Sequence, residues 1–281
     1  MKSVRIAVVL TMVAGALLAT DASEGKMSGQ AEAAARVYPV VDTSYGFLLG
    51  GTSGGNWITT DVMSDTVVGG EPFRVYSLKD YLGRAAGSTA PSAGEPCEET
   101  RVVELRPSYE NVNAIASGGP WAAMPRVPKN LSTRQPVYVK AVADLLKARG
   151  ISTPRVKLEQ VLQVDLEGDR VNEVLVSANY FAGSDNNEPM PSAEAGDYSI
   201  VFMRKLVDGK VETVVLAEDV QAQRIEFGAP FKFDIAGVLD LNGDGVLEVV
   251  LHDRYYEGIG SDVLQIKGTQ YEVVLSAGCG A

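Results

Sequence analysis

Short apolar runs broken by glycine occupy the chain from Val37 to about Val127. Tyr45 to Gly50, then Gly54-Gly55, then Trp57-Ile58 has the form of two strands joined by a tight glycine turn. Phe73 to Leu78 and Arg101 to Leu105 also predict strands, and the Ser/Pro/Gly/Ala stretch Gly87 to Glu95 predicts a loop. The period changes once. Val137, Ala141, Val142, Leu145 and Leu146 recur at helical spacing, with Lys140, Lys147 and Arg149 elsewhere on the turn. Pro136 suits a first-turn position, Thr133 an N-cap and Gly150 the C′ end, so one amphipathic helix is predicted, its stripe facing a core. After Gly150 the pattern is strand and turn throughout.

That last stretch repeats itself. Gln163 to Val176 matches Val238 to Leu251 at an offset of 75 residues, aligning Asp165 with Asp240, Gly168 with Gly243, Asp169 with Asp244 and Glu173 with Glu248. Tyr180 and Gly183 align with Tyr255 and Gly258. A hairpin pattern follows each copy: Ser199 to Leu206 turns at Asp208-Gly209 into Lys210 to Ala217, and Val263 to Ile266 turns at Lys267-Gly268 into Tyr271 to Ser276. Each repeat therefore predicts a four-stranded antiparallel unit, the first with an insertion at Ser184 to Asp197. The expected fold is mostly β: a β-rich region over 36–130, then the helix and two β repeats over 131–281.

The second copy holds candidate chemistry. Asp240, Asn242 and Asp244 put oxygen side chains at alternate positions, and Gly245 permits a sharp turn around one point. Val246 can add a carbonyl and Glu248 a closing carboxylate, a set of hard oxygen donors suited to Ca²⁺. The loop is not an EF-hand, because the twelfth position from Asp240 is Leu251 rather than a bidentate Glu. The alternative is an ordinary Asn-Gly/Asp-Gly turn with acidic side chains in water. In the first copy Asp165, Glu167, Asp169 and Glu173 keep the oxygen positions, but Arg170 replaces the glycine. A side chain there is expected to resist a positive-φ turn, and the guanidinium to offer the carboxylates a counter-charge in place of a cation.

Asp240 to Val250 resembles the calcium loop of FG-GAP or VCBS-type repeats, the blades of integrin-like β-propellers and of many exported bacterial proteins. The resemblance covers roughly Arg155 to Gly280. It implies FG-GAP-like β units in which Asp240, Asn242, Asp244 and Glu248 ligate Ca²⁺ with the Val246 carbonyl. It implies no particular activity.

Composition narrows the setting. Lys2 and Arg5, the apolar stretch Ile6 to Ala19 and the small residues before Ala22 form a signal-peptide pattern over 1–22, followed by a small, polar linker over 23–35. The apolar stretch is shorter than the roughly 20 residues of a membrane span, so export to the periplasm or the exterior is expected. In that oxidising setting the two cysteines, Cys97 and Cys279, are expected to form one disulfide. With 25 Lys and Arg against 36 Asp and Glu the net charge is −11, and no basic block is present to neutralise nucleic-acid phosphates. A single histidine argues against a His/Cys zinc site and a Ser-His-Asp hydrolase. The expectation is a calcium-binding, non-catalytic module whose partner is a macromolecule or glycan. The competing class is a Ca²⁺-dependent polysaccharide lyase or hydrolase, which needs a base such as His252 or Arg254 near the loop.

Overall fold

The computed structural model describes residues 36–109 and 112–280, so the signal-peptide and linker assignments lie outside the described residues. The fold is mostly β, in three antiparallel sheets with two helices among the described residues. The first sheet takes β1 (Val37–Asp42), β2 (Phe47–Ser53), β3 (Asn56–Ile58), β4 (Pro72–Ser77), β5 (Tyr81–Gly87), β6 (Leu105–Arg106) and β7 (Ala114–Ser117), in the order β3-β2-β1-β7-β4-β5-β6. The second takes β8 (Lys129–Asn130), β9 (Leu158–Val164), β10 (Glu173–Tyr180), β11 (Tyr198–Val207) and β12 (Lys210–Val220), ordered β12-β11-β10-β9-β8. The third is a plain meander of β13 (Lys232–Leu239), β14 (Glu248–Tyr255), β15 (Gly258–Lys267) and β16 (Gln270–Gly280). Helix α1 (Thr60–Ser64) follows β3, and α2 (Pro136–Ala148) precedes β9.

The three sheets stack, and the third lies in the middle. Along β14 a strand's side chains alternate between faces. Val249 and Leu251 meet Leu162, Leu175 and Met203 of the second sheet, whereas Val250 meets Val40, Tyr76 and Ile115 of the first. Burial on both faces explains why β14 carries the unbroken apolar run Val249 to Leu251 rather than an alternating pattern. Ala141, Val142 and Leu146 of α2 cover the outer face of the second sheet against Val176, Ile200 and Phe202.

Several details depart from the sequence reading. Arg101 and Val102 make only isolated bridges, and the strand there is reduced to Leu105–Arg106. The residue capping α2 is Gln135, with no side-chain cap, because Pro136 already stands at the start; Thr133 lies outside the helix. Val137 is exposed rather than part of the packed stripe. The last hairpin closes on Gly268-Thr269, one residue later than predicted, with Lys267 paired to Gln270. Among the described residues no helix is long and apolar enough to cross a membrane.

Cys97 and Cys279 form the expected disulfide. It ties the loop after β5 to the end of β16, and Thr100 Oγ1 donates to the Gly278 carbonyl beside it at 2.5 Å.

His252 is buried at the contact of the first and third sheets. It points from β14 toward the first sheet, where Nε2 lies 2.7 Å from Asp42 Oδ2 and its ring sits 5.0 Å from that of Tyr45. Ser261 Oγ donates to the same Asp42 oxygen, and the Ser44 N–H donates to Oδ1 at 2.8 Å. Burial pushes the Asp42 carboxyl up, but His252, Ser261 and Ser44 outweigh it and hold the pKa below the ordinary range. His252 and Ser261 are direct cross-strand partners on β14 and β15, and both reach the same Asp42 oxygen. Asp42→Ala removes the acceptor of the buried Ser261 hydroxyl and the carboxylate facing His252, and is expected to cost about 3 kcal/mol in denaturant unfolding. A loss below about 1 kcal/mol would show that the cluster does not hold the two sheets together.

Candidate metal centre

The two acidic loops join β9 to β10 and β13 to β14, and their backbones are near copies. Asp240 Oδ1 accepts the Gly243 N–H at 2.7 Å and Oδ2 the Gly245 N–H at 3.1 Å. In the first loop Asp165 Oδ1 accepts Gly168 N–H at 2.6 Å and Oδ2 accepts Arg170 N–H at 3.0 Å. Asp244 Oδ1 takes the Val246 N–H at 2.7 Å, as Asp169 Oδ1 takes that of Val171 at 2.8 Å. Gly245 has φ +87°, and Arg170 adopts +73° at the matching place. The expectation that Arg170 would resist the turn is therefore corrected: the bond to Asp165 holds a side-chain-bearing residue in the left-handed region that glycine enters freely.

The closing glutamates also correspond. Glu248 Oε2 accepts the Leu241 N–H at 2.8 Å, and Glu173 Oε2 accepts that of Leu166 at 3.0 Å. Both side chains are buried, Glu248 at 0% and Glu173 at 1% exposure. Their second oxygens differ. Lys205 Nζ lies 3.4 Å from Glu173 Oε1 and 2.5 Å from Glu167 Oε2. Burial works against the Lys205 charge, but these carboxylates overcome it and hold its pKa above the ordinary lysine value. Glu248 Oε1 has no hydrogen-bond partner. Strand register explains the difference. Val174 pairs with Arg204, so Glu173 faces Lys205; Val249 pairs with Leu264, so Glu248 faces Gln265. The counter-charge of the first loop is thus Lys205 and not Arg170.

Burial is the main cause that drives the Glu248 carboxyl up to about 8; Asp244 and Asp240 add to it, against the Leu241 N–H. Burial likewise raises Asp240, opposed by the Gly243 and Gly245 N–H groups. Asp240 and Asn242 are buried and Asp244 is exposed, so the loop has a wet rim over a dry floor.

Supports for the loops come from the segment between β7 and β8. Trp121 Nε1 donates to the Asp240 carbonyl at 2.8 Å, and the Asp240 N–H donates to the Ala123 carbonyl at 2.7 Å. The Trp121 ring lies so close over Gly243 that a Cβ there would meet it at 3.2 Å. Arg126 bridges the loops, donating to the carbonyls of Asp165 (2.5 Å), Leu166 (3.0 Å) and Gly245 (2.6 Å). The Leu247 N–H donates to the Leu166 carbonyl at 2.8 Å, and the Gly268 N–H donates to Glu167 Oε1 at 3.3 Å.

No family model, curated protein or solved structure matches the chain.

The donor set suits a hard cation: the side-chain oxygens of Asp240, Asn242, Asp244 and Glu248, with one buried carboxylate oxygen unmatched. The donors are not drawn together as a cage. Asp244 Oδ2 accepts from Asn242 Nδ2 at 3.0 Å, and the remaining side-chain bonds of the aspartates stay within the loop. Among the described residues no group of three or more His, Cys, Asp or Glu converges enough to hold a metal ion. Of the two basic residues next to the loop strand, His252 is committed to Asp42. Arg254 Nε lies 2.7 Å from Glu188 of the inserted segment and its Nη2 lies 3.2 Å from Asp234. Lys232 completes that cluster 2.7 Å from Glu188, whose carboxyl burial raises and whose two cations hold it low on balance.

Proposed function

We propose that the chain is an exported calcium-binding protein with repeats of the FG-GAP or VCBS type, acting as a non-catalytic module whose surface binds a macromolecule or glycan. One observation carries the calcium reading: Glu248 Oε1 is buried and unmatched at a place where the sister loop has Lys205. Two loops of the same backbone thus meet one electrostatic need in different ways. A protein ammonium answers it in the first, and a bound cation answers it in the second. Asp240, Asn242, Asp244, Glu248 and the Val246 carbonyl would hold the ion, which would supply positive charge to the buried carboxylate and fix the loop. By the same argument the first loop, with Asp165, Glu167, Asp169 and Glu173, takes no metal. A site of this open kind falls at about 10⁻⁴–10⁻³ M, which extracellular calcium fills. Its binding energy then adds to fold stability.

Calcium titration by calorimetry tests this. The wild-type protein is expected to bind one Ca²⁺, and Lys205→Gln, which places a glutamine opposite Glu173 as Gln265 stands opposite Glu248, is expected to bind a second. Absence of any site in the wild type overturns the proposal, and a single unchanged site in Lys205→Gln overturns the role given to Lys205.

A further inference from the structure

A second feature lies on the first sheet. A cleft of about 360 Å³ opens where β1, β4 and β5 meet the turn at Gly118 to Pro120, and three arginines, Arg36, Arg74 and Arg84, line it. Arg74 and Arg84 are direct cross-strand partners on β4 and β5. Residues so placed share a face of the sheet with Cβ atoms about 5 Å apart, and like charges there repel. Among the described residues none of the three arginines forms an ion pair. Arg74 Nη2 donates to the Pro120 carbonyl at 3.0 Å, a neutral acceptor. The one carboxylate in the lining, Glu71, is turned to the backbone, with Oε1 accepting the Val68 N–H at 2.8 Å and Oε2 the Gly69 N–H at 3.0 Å. In a chain of net charge −11, three guanidinium groups around one cleft are a local reversal of sign. The rest of the lining includes Tyr38, whose ring is braced edge-on by Trp121 at 5.2 Å, and Pro120.

We infer that this cleft binds an oxyanion carried on a small ring, seated between Arg74 and Arg84 with its body against Tyr38 and Pro120. Guanidinium forks match carboxylate and phosphate oxygens in pairs, and an oxyanion between them turns the repulsion of opposed arginines into attraction. The volume lies at the small end of ordinary ligand pockets, which suits a single ring rather than a long chain. A uronic acid and a sugar phosphate both carry this chemistry. The site is separate from the acidic loops and does not depend on calcium.

The test is a titration of the protein in EDTA, by calorimetry or ligand-observed NMR, with galacturonate, glucose 6-phosphate and neutral glucose. At least one acidic probe is expected to bind at least tenfold more tightly than glucose, and the tighter of the two identifies the oxyanion. Arg84→Gln is expected to weaken that probe at least tenfold. Arg84→Lys, which keeps the charge and loses the fork, should fall between. The Arg84 side chain is exposed, so neither change should move the unfolding midpoint, which checks that the fold persists. The inference is overturned if glucose binds as well as both acids, if none binds up to about 10 mM, ten times the Kd of a weak millimolar ligand, or if Arg84→Gln binds as the wild type does. Because calcium is absent, these results stand apart from the calcium titration.

Discussion

Glu248→Gln is expected to stabilise the metal-free protein at pH 8 and at the same time to abolish its stabilisation by Ca²⁺. The sign follows from the shift. Burial and the nearby aspartates lift the folded-state pKa of Glu248 from 4.5 to about 8. Between those values the folded protein holds a proton that the unfolded chain has released, so stability falls as pH rises through that window. Below 4.5 both states are protonated and nothing is lost; above 8 the loss is complete, about 4–5 kcal/mol at 1.36 kcal/mol for each unit. Glutamine presents the same shape without the charge, and its amide oxygen can still accept the Leu241 N–H. The variant should therefore lose most of the slope of stability against pH between about 5 and 8. Asp253, raised to about 6 by burial and by Asp262, leaves a residual slope in the lower part of the window. Calcium favours the carboxylate over the acid, so its benefit to the wild type should grow over the same range and be missing in the variant. Urea unfolding at pH 5 and pH 8, with Ca²⁺ and with EDTA, reads all four conditions. A variant less stable than wild type at pH 8 in EDTA would show that the buried carboxylate is already well compensated within the protein.

Opening the Cys97–Cys279 disulfide is the other large effect. The bond closes a loop of 182 residues of sequence separation, and its half-cystines lie at the junction of the first and third sheets. Chain-entropy reasoning gives about 5 kcal/mol for so long a loop, most of it exerted on the unfolded state. Cys97→Ala/Cys279→Ala is expected to lose about 3–5 kcal/mol in denaturant unfolding while the native sheet signal persists in circular dichroism. Retention of wild-type stability would mean that Thr100 and the strand pairing of β16 already hold this corner closed.

Local pattern carried much of this architecture and little of its electrostatics. The turns at Gly54-Gly55 and Asp208-Gly209 and the helix from Pro136 are short-range features, each written in residues a few positions apart, and the repeat is legible because its two copies carry the same local pattern 75 residues apart. The backbone of the acidic loops is equally local, because Asp240 and Asp165 bond N–H groups within five residues. What decides between the loops is not local. Lys205 reaches Glu173 across a hairpin from 32 positions further along the chain, and the contrast with Gln265 emerges only when the strand register is known. Arg126 joins carbonyls 40 and 119 positions away, and no motif marks it. Arg170 was a natural choice of counter-charge by proximity in the chain, but its side chain leaves the loop for solvent while a lysine on the neighbouring strand points in. Thr133 failed as a cap for a related reason: proline set the start of the helix, and Gln135, directly before it, took the cap position.

The most direct test of the calcium account is thermal unfolding in millimolar Ca²⁺ and in EDTA, with Asp244→Ala alongside. At tenfold excess over its Kd a single ion stabilises by about 1.4 kcal/mol, which for a protein of this size raises the midpoint by about 3–6 °C. That rise is expected in the wild type and is expected to be lost in Asp244→Ala, whose exposed side chain bonds within the loop. Equal midpoints in Ca²⁺ and EDTA, or a rise that survives the substitution, would contradict the calcium reading and leave the loop as an acidic turn.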